Sequence, residues 1–173
     1  MKIESSTMIS HPIEAVFEVY RNRLPELARY LPDIREIVVE SREELDDGIK
    51  LHNIWIASAD IPSFAKAFIK PELLRWNDYA TWHDADYVCH WKIVTGFASE
   101  AVRCSGITGF EAKGDSTRVY IDGDLSLDLK KVPGVPKLLA GSIGPKVEAF
   151  VVKLITPNLQ KTNQAIQDYL DAQ

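Results

Sequence analysis

The sequence predicts an α+β fold in which a curved antiparallel sheet is followed by a long C-terminal helix. The first observation is the segment from Pro145 to Gln173, where apolar residues recur close to the i, i+3, i+4, i+7 spacing of one helical face. The second is the alternation of apolar and polar residues through much of the preceding chain, which is typical of strands with one buried face. Short turn-forming segments separate these stretches and favour antiparallel neighbours. The concave face of such a sheet encloses a cavity if the helix does not fill it.

The first part of the chain contains three predicted strands and two predicted helices. The strands cover Lys2–Ile9, Ile34–Glu44 and Ile49–Ser58. The first helix begins after Ser10, the predicted N-cap, and has one apolar face. That face consists of Ile13, Val16, Phe17 and Tyr20. A second, shorter helix lies between Pro25 and Pro32.

The second part begins with an amphipathic segment, Ile61–Ile69, whose helical spacing ends at Lys70 and Pro71. Four strands in meander order follow it, joined by short turns. They are predicted over Leu73–His83, Tyr87–Thr95, Ala101–Ala112 and Thr117–Leu129. A stretch rich in glycine and proline, 132–144, leads to the final helix. Pro157 predicts a kink or a short interruption within that helix.

Composition and charge narrow the classes of function. With 173 residues and no linker-like segment, the chain is expected to form a single domain, 1–173. The net charge of -5 and the pI near 5.4 argue against nucleic acid as a partner. No apolar run reaches the roughly 18 residues of a membrane span, and the N-terminus lacks a signal peptide, which favours a cytoplasmic protein. Cys89 and Cys104 are expected on neighbouring strands, where they could face one another as reduced thiols.

Alternation along the strands indicates which side chains face the inside of the curved sheet. Burial strongly favours the tryptophans at positions 76, 82 and 91, so the strand phases that contain them point inward. The resulting candidates for ligand contact are Ile54, Ile56, Phe64, Phe68, Trp76, Asp78, Trp82, Trp91, Ile93, Ile121, Leu125, Phe150 and Leu154. Each of them either lines a cavity or packs as core. Three bulky indole rings on one concave face favour a wide pocket.

Asp78 is the one acidic residue among these inward candidates. A carboxylate between tryptophans must find a hydrogen-bond donor or take up a proton. It can anchor a ligand hydroxyl or pair with Lys92, if the strand register brings the two together. Alternatively, a strand-edge bulge turns Asp78 to solvent.

Motifs for catalysis or metal binding are weak in this sequence. It contains no glycine-rich phosphate loop, no metal-spaced His/Cys cluster and no nucleophile elbow, and no cofactor is expected. His83 and His90 could meet across a hairpin, but two imidazoles without a third ligand make a poor metal site, and exposed strand histidines are the simpler interpretation. An enzyme acting in the cavity needs an acid or base there, for which Asp78 is the candidate.

The order of elements, together with the segments Gly106–Glu111 and Gly114–Val119, resembles the START/Bet v 1-like (SRPBCC) superfamily. The helical insert and the run Pro145–Leu170 are similar to PRELI-type lipid-transfer domains and to bacterial START-like proteins. The resemblance implies a helix-grip fold, in which an antiparallel sheet wraps around the C-terminal helix. It also implies an elongated cavity that holds a lipid, sterol, polyketide or other apolar ligand.

Three functions follow as alternatives. The first is a START-like protein that binds a lipid or other hydrophobic small molecule and carries or senses it. In that case, segments 61–70 and 132–144 are the candidate gates of the cavity, and transient membrane contact is expected through 61–70 or 132–144. The second is a polyketide cyclase or aromatase using the same cavity. The third is a protein-interaction module whose apolar groove receives a partner segment.

Overall fold

The computed structural model describes residues 1–58, 74–96, 99–131, 149 and 161–173. Its seven strands are β1 (Lys2–Ile9), β2 (Ile34–Leu45), β3 (Gly48–Ala57), β4 (Arg75–His83), β5 (Val88–Thr95), β6 (Val102–Lys113) and β7 (Ser116–Leu127). The helices are α1 (Ile13–Asn22), α2 (Leu24–Leu27) and α3, which the structure describes over 161–171. Single 3-10 turns lie at Ala28–Tyr30 and Leu129–Lys131.

The strands form one antiparallel sheet with the order β1-β7-β6-β5-β4-β3-β2. Strands β2 to β7 follow one another as neighbours, whereas β1 pairs with β7 at the far edge. Helices α1 and α2 therefore carry the chain from one edge of the sheet to the other. The β2–β3 register shifts between Ile34 and Glu36 and between Val39 and Ser41, and bulges of this kind bend a strand. The predicted α+β architecture, a curved sheet with a C-terminal helix, is confirmed.

Helix α1 buries the apolar face that its spacing predicts, but it does not begin as expected. Pro12 precedes the first helical residue with an extended backbone, and no side chain caps the helix. The predicted N-cap at Ser10 is therefore wrong: the backbone N–H of Ser10 donates to Oε1 of Gln167 in α3 at 2.8 Å. Pro25 lies inside the first turn of α2 instead of before it, a position where its missing N–H costs no helical hydrogen bond.

The side chain of Phe17 lies at the centre of the contact between α1 and the sheet. Its ring meets those of Trp82, Tyr87 and Phe110 edge to face, with centroids 5.3, 5.0 and 5.2 Å away. Tyr87, predicted to begin β5, instead ends the turn before it with φ of 50°. The cluster joins α1 to strands β4 and β6.

Helix α3 is fixed to the N-terminal elements by polar contacts around a buried apolar face. Nε2 of His11 lies 2.8 Å from Oδ1 of Asp171, and the Tyr169 hydroxyl donates to Oε2 of Glu26 at 2.7 Å. An ion pair joins Lys161 to Asp33. The buried members of the helix are Thr162, Asn163, Ala165, Ile166 and Tyr169. The one-sided apolar spacing predicted for this helix is thus confirmed among its described residues.

Several sequence-based predictions concern residues outside those that the structure describes. They are the insert 61–69 with Phe64 and Phe68, the stretch 132–144, the kink at Pro157, and the positions of Phe150 and Leu154. Among the described residues, no helix has the length and apolar character needed to cross a bilayer.

Candidate functional site

A cavity lies between the concave face of the sheet, helices α1 and α2, and Thr162 of α3. Its volume is about 60 Å³. One water molecule needs roughly 10–15 Å³ on this scale, so the cavity has room for a few waters or a small organic group. The described residues that line it are Tyr20, Leu24, Trp55, Trp76, Asp78, Ala80, Trp82, Cys89, Trp91, Ile93, Thr108 and Thr162. All four tryptophans of the chain are among them.

Five of the predicted ligand-contacting residues lie on this wall. They are Trp76, Asp78, Trp82, Trp91 and Ile93. Alternation along β4 and β5 predicted their direction correctly, because the opposite faces of these strands carry mostly polar or charged side chains. Their contact with a ligand stays a prediction.

Two pairs of predicted lining residues lie elsewhere. Ile54 and Ile56 are on the opposite face of β3 from Trp55, so the prediction that they line the cavity is wrong. Ile121 and Leu125 of β7 face inward but are only 2% and 1% exposed, as packed core residues away from the cavity wall.

Trp55 is the one tryptophan on the wall that the predicted list lacks; the other described lining residues absent from that list are Tyr20, Leu24, Ala80, Cys89, Thr108 and Thr162. It stacks on Trp76 of the neighbouring strand, with ring centroids 5.7 Å apart and planes inclined by 14°. Both phases of β3 contain apolar residues, which made the inward phase ambiguous at its C-terminal end. The N-terminal end carries the signal that could have resolved it, since buried Ile49 and Leu51 share the phase of Trp55.

Two opposed glycines make room for the indole of Trp91. Gly106 of β6 pairs with Gly123 of β7, and a Cβ on either would lie 2.7 Å from a Trp91 ring atom. The ring thus packs directly against backbone. Its Nε1–H donates to Oγ1 of Thr108 at 3.1 Å, which fixes the orientation of the indole on the cavity wall.

Gly123→Ala is expected to lower the free energy of unfolding by about 1–3 kcal/mol, because the new methyl overlaps the Trp91 ring and forces it towards the cavity. Urea denaturation measures the loss. Ser126→Ala, at an exposed position of the same strand, is the matched control and should change stability by less than about 0.5 kcal/mol. Equal stability of the two variants would contradict this packing.

Asp78 lies on the cavity wall with one well-defined hydrogen bond. It pairs in register with Asn53 of β3, whose Nδ2 donates to Oδ2 of Asp78 at 3.2 Å. The register is continuous through Asp78 on both sides, so the predicted alternative of a bulge that turns it to solvent is wrong. Lys92 pairs with Tyr79 and points to the opposite face, so the proposed Asp78–Lys92 pair does not form.

The Asp78 side chain is half-buried, and removal from bulk water dominates the electrostatics of this wall. It raises the pKa of Asp78 from its ordinary 3.8 to about 6, although the hydrogen bond from Asn53 and the nearby indole N–H of Trp55 counteract the rise. Trp55 Nε1–H nevertheless makes no hydrogen bond of normal geometry within the described part of the chain, and the same holds for Trp82 Nε1–H. Burial also raises the pKa values of Tyr20 and Cys89, with a further contribution from the Asp78 charge. The phenol and the thiol are therefore neutral at physiological pH, and Asp78 is the group that titrates.

The cysteines and histidines make no second site in the described structure. Cys89 pairs with Thr108 and Cys104 pairs with Ile93, so the two thiols lie on neighbouring strands without facing one another, and both are free. The rings of His83 and His90 meet edge to face at 5.5 Å. Among the described residues, no group of three or more His, Cys, Asp or Glu side chains is arranged to hold a metal ion.

The sequence matches no protein-family model. No curated protein has a significantly similar sequence.

Solved structures, in contrast, share the fold over nearly the whole chain. The protein TTHA0849 from Thermus thermophilus superposes with a TM-score of 0.70 at 19% identity, covering 99% of this chain and 98% of its own. The Zhui aromatase/cyclase from Streptomyces sp. R1128 gives 0.69 at 12% identity, with 99% and 93% covered. The ginseng major latex-like protein 151 from Panax ginseng gives 0.60 at 15% identity, with 98% and 96% covered.

Identities this low establish likeness of fold and leave function to be argued from the site. The sheet order, the C-terminal helix lying against the concave face and the similarity to these structures agree with one another. The chain therefore has the helix-grip fold of the START/Bet v 1-like superfamily.

Proposed function

We propose that the chain acts as one ligand-binding domain, 1–173, which holds an apolar small molecule in this cavity and carries or senses it. The observation that supports the proposal is the convergence of all four tryptophans and one titratable carboxyl group on the wall of one cavity. Indole rings offer flat apolar surfaces to a ligand, and a single polar group on such a wall fixes its orientation.

The size of the cavity limits what enters without rearrangement. At about 60 Å³ it is smaller than the roughly 300–1,000 Å³ of pockets for drug-sized ligands. A benzene-sized group needs a modest displacement of the indole rings, and a lipid chain needs a larger opening. Opening the cavity costs free energy, which reduces the gain from burying the apolar surface of the ligand. The binding affinity therefore reflects the difference between this gain and this cost.

Native mass spectrometry of the purified protein, followed by solvent extraction, tests the proposal. A discrete small apolar molecule that leaves with the protein is the expected result. If the protein is bare, titration with benzyl alcohol should shift the NMR signals of the indole N–H groups, because every tryptophan lies on the cavity wall. A bare protein whose indole signals do not move would contradict the proposal.

Trp76→Ala provides a variant test of the same proposal. Its ring is 5% exposed and stacks on Trp55, so its removal should weaken binding of an apolar probe by about tenfold. Tyr79→Ala, at an exposed position of the same strand, should leave affinity within about twofold. Equal loss in both variants would place the probe outside the cavity.

Finer proposals follow for the ligand and its transport. We propose that the ligand is a lipid or a similar hydrophobic molecule, that segment 61–70 or segment 132–144 contacts a membrane during exchange, and that the protein works in the cytoplasm. Transfer of a fluorescent lipid between vesicles tests the first two. A rate no faster with the protein than without it would contradict them.

A cyclase-type enzyme using the same cavity is the second candidate. The observation in its favour is the position of Asp78, whose pKa of about 6 suits proton transfer near neutral pH, on the same wall as the Tyr20 hydroxyl. Cyclisation of a poly-β-carbonyl substrate that is lost in Asp78→Asn would support it. Binding without turnover favours the carrier.

A further inference from the structure

We infer that the ligand carries a positively charged amino group, which Asp78 binds while the tryptophan rings contact its apolar part. This inference rests on the proposed function and specifies the chemical class of its ligand.

The first observation that supports this inference is the charge of the cavity wall. Among the described residues that line it, Asp78 is the one carboxylate, and none is lysine, arginine or histidine. A carboxylate in apolar surroundings costs free energy unless a cation or several donors compensate it. Lys92, the residue before the β5 partner of Asp78, is exposed on the opposite face. The wall thus supplies a negative charge and, in its described part, leaves the counter-charge to a ligand.

The hydrogen-bonding groups next to the Asp78 carboxylate also favour a cationic ligand. Asn53 donates to Oδ2 of Asp78, and the indole N–H of Trp55 lies near the carboxylate without a hydrogen bond of normal geometry. The side-chain oxygen of Asn53 is itself buried and has no partner in the described structure, on a residue that is fully buried. Of these two acceptors, the Asp78 carboxylate lies on the cavity wall and is the one that a ligand there can reach. An ammonium group brings three donors and no acceptor, which suits a carboxylate.

The aromatic surroundings favour a cation over a neutral donor such as a hydroxyl. Indole is the side chain whose face attracts cations most strongly. The stacked pair of Trp55 and Trp76 belongs to the strands that carry Asn53 and Asp78, and Trp82 and Trp91 complete the wall. An anionic ligand would be repelled by Asp78, because the described part of the wall carries no cation that could bind it.

Three probes of the same shape separate these possibilities: benzylamine, benzyl alcohol and benzoate, each titrated at about pH 7.5 while the indole N–H signals are followed by NMR. We expect benzylamine to bind at least about tenfold more tightly than benzyl alcohol, and benzoate to bind most weakly. Benzyl alcohol binding as tightly as benzylamine overturns the inference and leaves the proposed function standing. No binding of any of the three overturns both.

Asp78→Asn tests whether Asp78 causes the preference for benzylamine over benzyl alcohol. The substitution keeps the shape of the side chain and an oxygen that can accept a hydrogen bond from Asn53. In this variant we expect benzylamine and benzyl alcohol to bind within about twofold of one another. Asp122→Asn makes the same change at an exposed position of β7 and should retain the full preference. A preference that persists in Asp78→Asn places the charge recognition elsewhere and overturns the assignment to Asp78.

Discussion

Phe17→Ala is expected to lower the free energy of unfolding by about 3–5 kcal/mol, the largest loss anticipated for a single side chain on α1. The Phe17 ring is 5% exposed and makes three edge-to-face contacts, with Trp82, Tyr87 and Phe110. The substitution removes apolar burial and leaves a void between the helix and the sheet, and each lost aromatic contact adds to the cost. Urea denaturation, with intrinsic tryptophan fluorescence as the signal, measures the effect.

Glu18→Ala is the matched control, because it removes an exposed side chain from the same helix. Its contact with Arg23 is an exposed ion pair at 3.7 Å, so the expected change is within about 0.5 kcal/mol. A loss below about 1 kcal/mol in Phe17→Ala would show that α1 does not depend on this cluster. Phe17→Leu should lie between the alanine variant and the wild type, since leucine fills much of the void.

The parts of this fold that follow from the sequence are those in which one strand phase or one helix face is clearly apolar. Lys2–Ile9 was predicted with the bounds of β1, and the inward phase of β4 followed from its tryptophans. In such segments a shift by one residue exposes a large apolar area to water, so a single arrangement is strongly favoured. The helix-grip fold that the superfamily resemblance implies, drawn from the order of these segments, is also confirmed.

The errors arose where local pattern does not determine the arrangement. Near Trp55 both phases of β3 are apolar; Ile49 and Leu51 indicate the buried phase, whereas the stacking of Trp55 on Trp76 follows from the pairing of β3 with β4. The environment of Asp78 likewise depends on register, which places Asn53 beside it and turns Lys92 to the opposite face. Ser10 has the side chain of an N-cap, yet Pro12 occupies the N-cap position of α1, and the backbone N–H of Ser10 instead donates to Gln167 of α3. Each of these outcomes depends on residues far away in sequence.

Asp78→Asn is expected to stabilise the protein by up to about 2–3 kcal/mol at about pH 7.5. The folded-state pKa of Asp78, about 6, is above its ordinary value of 3.8, so the folded protein binds this proton more tightly than the unfolded chain does. The stability that the protonated carboxyl contributes is fully present below about pH 4 and is lost as the pH rises through 6. An asparagine does not titrate and avoids this loss.

The gain should therefore depend on pH, and this dependence distinguishes charge burial from a change in packing. Urea denaturation at about pH 7.5 and pH 4 should show a clear gain at the higher pH and almost none at the lower one. Asp122→Asn, whose partner Lys2 lies 3.6 Å away on the exposed face, should change stability by less than about 0.5 kcal/mol at either pH. Destabilisation by Asp78→Asn at pH 7.5 would mean that the carboxylate has a stabilising partner within the protein.

If Asp78→Asn both stabilises the protein and abolishes the preference for benzylamine, the same carboxylate is responsible for the cost in stability and for the recognition of the cation. A charge that costs the empty protein free energy is best explained by what it binds, because selection for stability alone would favour a neutral side chain at that position. An amine that pairs with Asp78 removes the penalty, so the cost of the buried charge in the free protein becomes affinity and selectivity for a cationic ligand. Stability and binding measured on the same variant thus test one cause, the uncompensated carboxylate among the tryptophans.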